Sequence, residues 1–255
     1  MAVGIRDVGD FCWINVLSPQ PEKSRAFFAR LMQWTYVDMA GMGHRIQLRG
    51  RDIGGFFDVI SPRTPQGAEP SIGVMIKVQD ANYTASRVKS LGGTAMPAFD
   101  VGGAGRMAVC FDPNGAEFDV WEPKGMPGFD VDSSLPGAPS WFEATSRNVK
   151  RDREFYGGLF GWAATEVSIP PVTYTMFSRK GPPIAGMVPS TPENAQPKPH
   201  WGVYFTVQNP DETTKLARLM GAKIRIAPKD IPGVGRFACI VSPEGVPFYV
   251  IRYSG

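Results

Sequence analysis

Apolar and polar residues alternate through most of this chain, and two amphipathic stretches in each half interrupt that alternation. Period-2 alternation marks strands with one buried face, and a 3.6-residue period marks helices packed on them. In the first half the pattern predicts a strand over Phe11 to Leu17 and a helix over Pro21 to Met32. Ser18 is its expected cap, with Pro at an early position, and strands near 44–49 and 53–60 follow. The pattern then restarts. A strand is predicted over Ile72 to Val78, then a helix over Asp80 to Leu91 ended by Gly92-Gly93. Strands near 106–111 and 116–122 are joined by the turn from Asp112 to Gly115. The unit is βαβββ, and the whole chain holds four of them.

The second half restates the first. Phe27, Leu31 and Trp34 correspond to Phe155, Leu159 and Trp162, and Val78 to Val207. Arg106, Pro113 and Gly115 correspond to Arg236, Pro243 and Gly245. The Pro-, Gly- and Ser-rich stretch from Glu122 to Ser140 reads as a connector. The expected division is a first domain over 1–125, a linker over 126–138 and a second domain over 139–255.

Alternation also sorts side chains by face. Cys12, Ile14 and Val16 are expected beneath the helix, with Phe11, Trp13 and Asn15 opposite. Ile72, Val74, Ile76 and Val78 face the helix, leaving Gly73, Met75 and Lys77. Phe118 and Val120 go inward, leaving Glu117, Asp119 and Trp121. In the second half Trp141, Glu143, His200, Gly202, Tyr204, Thr206, Pro247, Tyr249 and Ile251 fall on the face away from the helices. A curled sheet face of large aromatics with a few polar groups has the composition of a small-molecule pocket. An interface between the halves would present the same composition. The residues expected to touch a ligand are Trp13, Asn15, Phe57, Met75, Trp121, Trp141, Tyr204 and Tyr249.

Composition narrows the class of partner. The net charge of +3 is spread without a basic run, so nucleic-acid binding is not expected. Cys12, Cys110 and Cys239 are widely spaced among apolar neighbours, as reduced core thiols are, which points to the cytoplasm. The start of the chain lacks the basic and apolar regions of a signal peptide, and no apolar run approaches the ~20 residues that cross a bilayer. The glycine clusters GGAGR and GVGR precede strands rather than helices, so they read as turns and not phosphate cradles. Arg106 and Arg236 are expected to hold the loop carboxylates Asp100 and Asp230. His44 and His200 lack a partner at metal spacing.

The segments FCWINVLSPQPEKSRAFF, SIGVMIKVQD and DPNGAEFDVW resemble the paired βαβββ modules of the vicinal-oxygen-chelate superfamily (glyoxalases, bleomycin-resistance proteins and dioxygenases). SWFEATSRNVKRDREFYGGLFGW, HWGVYFTVQN and SPEGVPFYV repeat the likeness. PAFDVGGAGRMAVCFDPNG and its echo APKDIPGVGRFACIVSPEG are similar to a two-domain, actinobacterial-type glyoxalase-like subgroup. The resemblance implies an α+β fold of tandem domains. Each would hold two βαβββ modules forming a curled mixed sheet with helices outside and a U-shaped cleft within.

Enzymes of that superfamily hold a divalent metal with His or Gln, His, and Glu. Carried over, the first-strand position falls on Phe11 and Pro139, the second-module position on Gly73 and Gly202, and the last-strand position on Asp119 and Tyr249. A further position falls within Gly55 to Phe57 and Gly186 to Val188. Only Asp119 is a metal-ligating type, and a divalent site needs three or four protein ligands, so no metal or other cofactor is expected. The expected function is metal-independent binding of an aromatic metabolite or antibiotic-like molecule, as in bleomycin resistance or secondary metabolism. The alternative is a lyase, isomerase or hydroxylase-like enzyme acting on a small carbonyl or polyketide-like substrate, with Glu143 or Asp119 as acid or base. The expected partner is a small-molecule ligand, with no nucleic acid and no membrane, and the chain would be a monomer or homodimer.

Overall fold

The computed structural model describes residues 6–61, 67–170, 172–191 and 199–254. The first half runs β1 (Phe11–Ser18), α1 (Pro21–Met32), β2 (Thr35–Asp38), β3 (His44–Leu48), β4 (Arg51–Asp58), β5 (Ser71–Lys77), α2 (Ala81–Ser90), β6 (Thr94–Ala95), β7 (Phe99–Val101), β8 (Gly105–Phe111) and β9 (Glu117–Pro123). The second half runs β10 (Pro139–Ser146), α3 (Val149–Phe160), β11 (Ala163–Ile169), β12 (Val172–Ser178), β13 (Pro183–Pro189), β14 (His200–Thr206), α4 (Pro210–Leu219), β15 (Lys223–Ile231), β16 (Gly235–Val241) and β17 (Pro247–Tyr253).

Each half closes its own sheet. The first has the order β2-β3-β4-β1-β5-β9-β8-β6, with β7 also pairing β8. The second has the order β11-β12-β13-β10-β14-β17-β16-β15. Both are mixed: β1 runs parallel to β4 and antiparallel to β5, and β10 does the same with β13 and β14. This is the tandem α+β arrangement of paired βαβββ modules that the sequence predicts. The modules pair within a half, not across halves.

The helices lie outside each cleft, and the helix-bearing faces of the two sheets meet in one continuous core. Phe28 of α1 packs edge-on against Phe248 of β17, and Phe118 of β9 against Phe155 of α3. The duplicated tryptophans that follow α1 and α3 cross the seam symmetrically. Trp34 donates through Nε1 to the Gly137 carbonyl at 2.8 Å, and Trp162 to the Gly9 carbonyl at 2.9 Å. Both glycines have φ +91°, a left-handed conformation that favours glycine, and a Cβ on Gly137 would come within 2.3 Å of the Met32 carbonyl oxygen.

The seam also buries polar chemistry. Tyr156 of α3 donates to Asp112 in the β8–β9 turn at 3.0 Å, and Asn114 of that turn donates to Asp152 of α3 at 2.7 Å. On the opposite side Ser24 of α1 reaches Glu244 in the β16–β17 turn at 2.9 Å.

Two local expectations are corrected. Ser18 does not cap α1: Gln20 occupies the cap position without a side-chain bond, while Ser18 accepts from the Gln20 amide and pairs with Ser24. Phe11 does not face the cleft. The register of β1 against β5 slips between Phe11 and Trp13, and such a bulge flips the parity of residues before it. Phe11 therefore enters the seam, stacked on Phe142 at 4.1 Å and 5°, and Cys12 turns toward Trp13, Met75 and Trp121 instead of lying beneath the helix.

Candidate functional site: two clefts of opposite chemistry

Cross-strand register makes the two clefts directly comparable. Asn15 on β1 stands opposite Gly55 and Gly73, and Glu143 on β10 stands opposite Gly186 and Gly202, so these two residues are equivalent. Trp13 likewise corresponds to Trp141, Met75 to Tyr204 and Asp119 to Tyr249. Each cleft thus carries one central carboxylate, on the last strand in the first half and on the first strand in the second.

The first cleft is closed at its floor. Cys12, Trp13, Met75 and Trp121 form a buried cluster covered by Val101, Ala104, Met107 and Met126, and Trp121 donates to the Met126 carbonyl at 2.8 Å. Beside it Asn15 donates to Oδ2 of Asp119 at 3.2 Å, while Oδ1 of that carboxyl is buried and finds no hydrogen-bond partner. Burial, reinforced by Glu117, raises the Asp119 pKa to about 8, so the group holds its proton at neutral pH. Burial also pushes the Cys12 thiol up to about 12, which makes it an inert core thiol. Phe57 stays apart from the cluster and lies over Gly55, where a Cβ would meet its ring at 2.4 Å.

The second cleft is a hydrogen-bonded aromatic ladder. Trp141 donates through Nε1 to the Tyr174 hydroxyl at 2.8 Å. Tyr174 donates to Oε2 of Glu143 and Tyr204 to Oε1, each at 2.9 Å. Tyr204 stacks on Tyr249 with centroids 4.4 Å apart and 13° between planes, and Tyr249 is hydrogen-bonded to Cys239. Burial raises the Glu143 pKa, and the two phenol donors pull it back only in part. Both phenols are held well above their usual range by the same burial and by the carboxylate itself. Trp141, Glu143 and Tyr249 are only half-buried, so the ladder is open on one side.

Two glycines make room for it. A Cβ on Gly186 would lie 1.7 Å from the Tyr174 hydroxyl, and one on Gly202 would lie 2.7 Å from the Tyr249 ring. Tyr174 is the member that sequence reasoning missed. Its signal was present in the alternation of Thr173, Tyr174 and Thr175, but placing it required the pairing of Met176 with Gly186.

Residues at the superfamily's metal positions do not fit a metal. Phe11 is in the seam, Gly73 and Gly202 carry no donor, Pro139 is apolar, and Tyr249 is a neutral phenol. Among the described residues no three His, Cys, Asp or Glu side chains converge. Arg106 and Arg236 hold Asp100 and Asp230 at 3.0 and 3.1 Å. His44 opens β3, within 3.2 Å of Arg25, and His200 opens β14. A groove of about 210 Å³ beside Met32, Gly137 and Leu216 lies on the seam, away from both clefts.

No protein-family model matches the chain. CFP32 of Mycobacterium tuberculosis, provisionally named a glyoxylase, is 28% identical over 246 residues, covering 94% of this chain and 93% of that protein. The anthracycline biosynthesis protein DnrV of Streptomyces peucetius is 35% identical over 130 residues, about half of each chain (46% and 47%). Among solved structures, the Mn(II)-bound glyoxalase from Novosphingobium aromaticivorans aligns over 96% of this chain and 82% of its own, with TM-score 0.66 and 15% identity. The 2,2',3-trihydroxybiphenyl 1,2-dioxygenase from Sphingomonas wittichii aligns over 96% and 90%, with TM-score 0.67 and 10% identity. By sequence the chain is similar to these two proteins, and its fold is the one that the glyoxalase and dioxygenase structures share.

Proposed function

We propose that the chain binds a small, planar, aromatic molecule in its second cleft without a metal as intermediary. The observation that carries this reading is the open aromatic ladder: Trp141 and Glu143, fixed by hydrogen bonds with Tyr174 and Tyr204, and Tyr249, stacked on Tyr204, remain partly accessible on one face. A floor locked in this way loses little side-chain entropy when a ligand lands on it. Flat rings stack on Trp141 and Tyr249, and the remaining lone pairs of Glu143 accept from a ligand hydroxyl. The name of DnrV supports a ligand of the fused-ring polyketide class, and sequestration or delivery of such a molecule is the activity. The protein would act in the cytosol as a monomer or homodimer.

Titration with a neutral planar probe, 1,4-dihydroxyanthraquinone, tests this. Calorimetry is expected to give one saturable site per chain, weakened about tenfold or more in Trp141→Ala and Tyr249→Ala. Equal affinity in those variants removes the second cleft from consideration.

One observation favours chemistry in the first cleft as a second reading. Asp119 offers a protonated carboxyl with an unpartnered oxygen, the equipment of a general acid. Conversion of the bound molecule with a rate that falls above about pH 8, and that is lost in Asp119→Asn, would select it. Glu143 suits a base less well, because each of its oxygens already accepts from a tyrosine.

A further inference from the structure

The second cleft holds a half-buried carboxylate with no ion-pair partner among the described residues. Glu143 has the phenols of Tyr174 and Tyr204 as partners, and none of the ion pairs formed among the described residues includes it. Half-buried, it bears a desolvation cost on its charged form that two neutral donors offset only in part, which raises its pKa. The first half shows that the fold does not demand this charge. At the equivalent register position stands Asn15, a neutral amide, opposite the equivalent pair of glycines, Gly55 and Gly73. A carboxylate at this register position is therefore particular to the second cleft, and it stands there among Trp141, Tyr174, Tyr204 and Tyr249. Aromatic faces attract cations through the ring quadrupole, and aromatic side chains grouped around an acidic one form the usual receptor for an organic ammonium ion.

From this arrangement we infer that the second cleft selects a ligand bearing a positively charged amine or quaternary ammonium group, seated between Glu143 and the open faces of Trp141 and Tyr249. This rests on the planar-ligand reading and adds the charge that the ligand carries. Arg225 of β15 acts on Tyr249 and Cys239, while Glu143 is governed by its burial and its two phenols.

The test compares three probes by calorimetry on the full chain: 1,4-dihydroxyanthraquinone, its derivative with one trimethylammonium arm, and tetramethylammonium alone. The cationic derivative is expected to bind about tenfold tighter than the neutral probe, and Glu143→Gln is expected to abolish that advantage, so that the variant binds the two anthraquinones equally. Tetramethylammonium is expected to displace the cationic derivative in the wild type. In Tyr249→Ala, which leaves the carboxylate in place, it should bind more weakly. Equal affinities for the two anthraquinones in the wild type, or an advantage that survives Glu143→Gln, overturns the inference while leaving the planar-ligand reading intact. If neither anthraquinone binds, the planar-ligand reading fails. Tetramethylammonium then decides the cation site alone: binding lost in Glu143→Gln supports it, and no binding overturns it.

Discussion

At the residue scale the second cleft depends on what its glycines omit. Gly186 leaves room for the Tyr174 hydroxyl, and that hydroxyl links Trp141 to Glu143. A methyl at Gly186 would overlap both the oxygen and the ring carbon bearing it, so Gly186→Ala must expel Tyr174 or shift β12 from β13. The expected cost is about 1–3 kcal/mol in urea unfolding, together with a change in Trp141 emission as its indole loses a partner. Unchanged stability and emission would mean that Tyr174 does not occupy this position. Most of the ladder was legible in the sequence, since alternation alone placed Trp141, Glu143, Tyr204 and Tyr249 on one face. It failed for Phe11 and Cys12 because a bulge is an insertion in register that single-strand parity cannot register. Placing Tyr174 needed the neighbouring strand, and the unpartnered oxygen of Asp119 needed three dimensions.

At the element scale the four helices among the described residues differ in how they begin. Asn148 and Asn209 cap α3 and α4, and Asp80 caps α2, each by accepting backbone amides. Gln20 gives α1 no such bond. Because Gln20 is exposed, Gln20→Ser should stabilise the chain by about 0.5–1 kcal/mol in urea unfolding, and Asn148→Ala should destabilise it by about 1 kcal/mol. A destabilising Gln20→Ser would show that the α1 entry is fixed by the Ser18–Ser24 contact instead. The helices and long strands were legible because their apolar periods run for several turns or pleats. The short strands β2, β6 and β7 were not, since two to four residues carry too little periodicity.

At the scale of the whole molecule, two halves joined back to back make a seam that contains titrating groups. Asp112 is buried there with its folded pKa raised to about 6, chiefly by desolvation and then by Asp152, whose own pKa is raised by burial. A carboxyl whose folded pKa exceeds its unfolded one binds more protons when folded. Its contribution is therefore most favourable at low pH and is lost as pH rises from about 4 through the folded value. Asp119 extends the same trend to about pH 8. The melting temperature should accordingly rise between pH 8.5 and pH 5.5. Asp112→Asn should flatten the lower part of that window and Asp119→Asn the upper part. A melting temperature that rises with pH across this range would contradict the protonation states assigned to both carboxyls. The internal duplication made the tandem architecture readable from sequence, whereas the back-to-back docking was not, because the residues that cross the seam also satisfy the pattern of an ordinary helix-covered core.

The central claim, that a planar ligand enters the second cleft without help from a metal, is tested most directly by native mass spectrometry of chelator-treated protein titrated with 1,4-dihydroxyanthraquinone, with and without added Mn(II). The account predicts a one-to-one adduct of equal abundance in both series and its loss in Trp141→Ala. An adduct that forms only with Mn(II), together with one retained metal per chain, would contradict it.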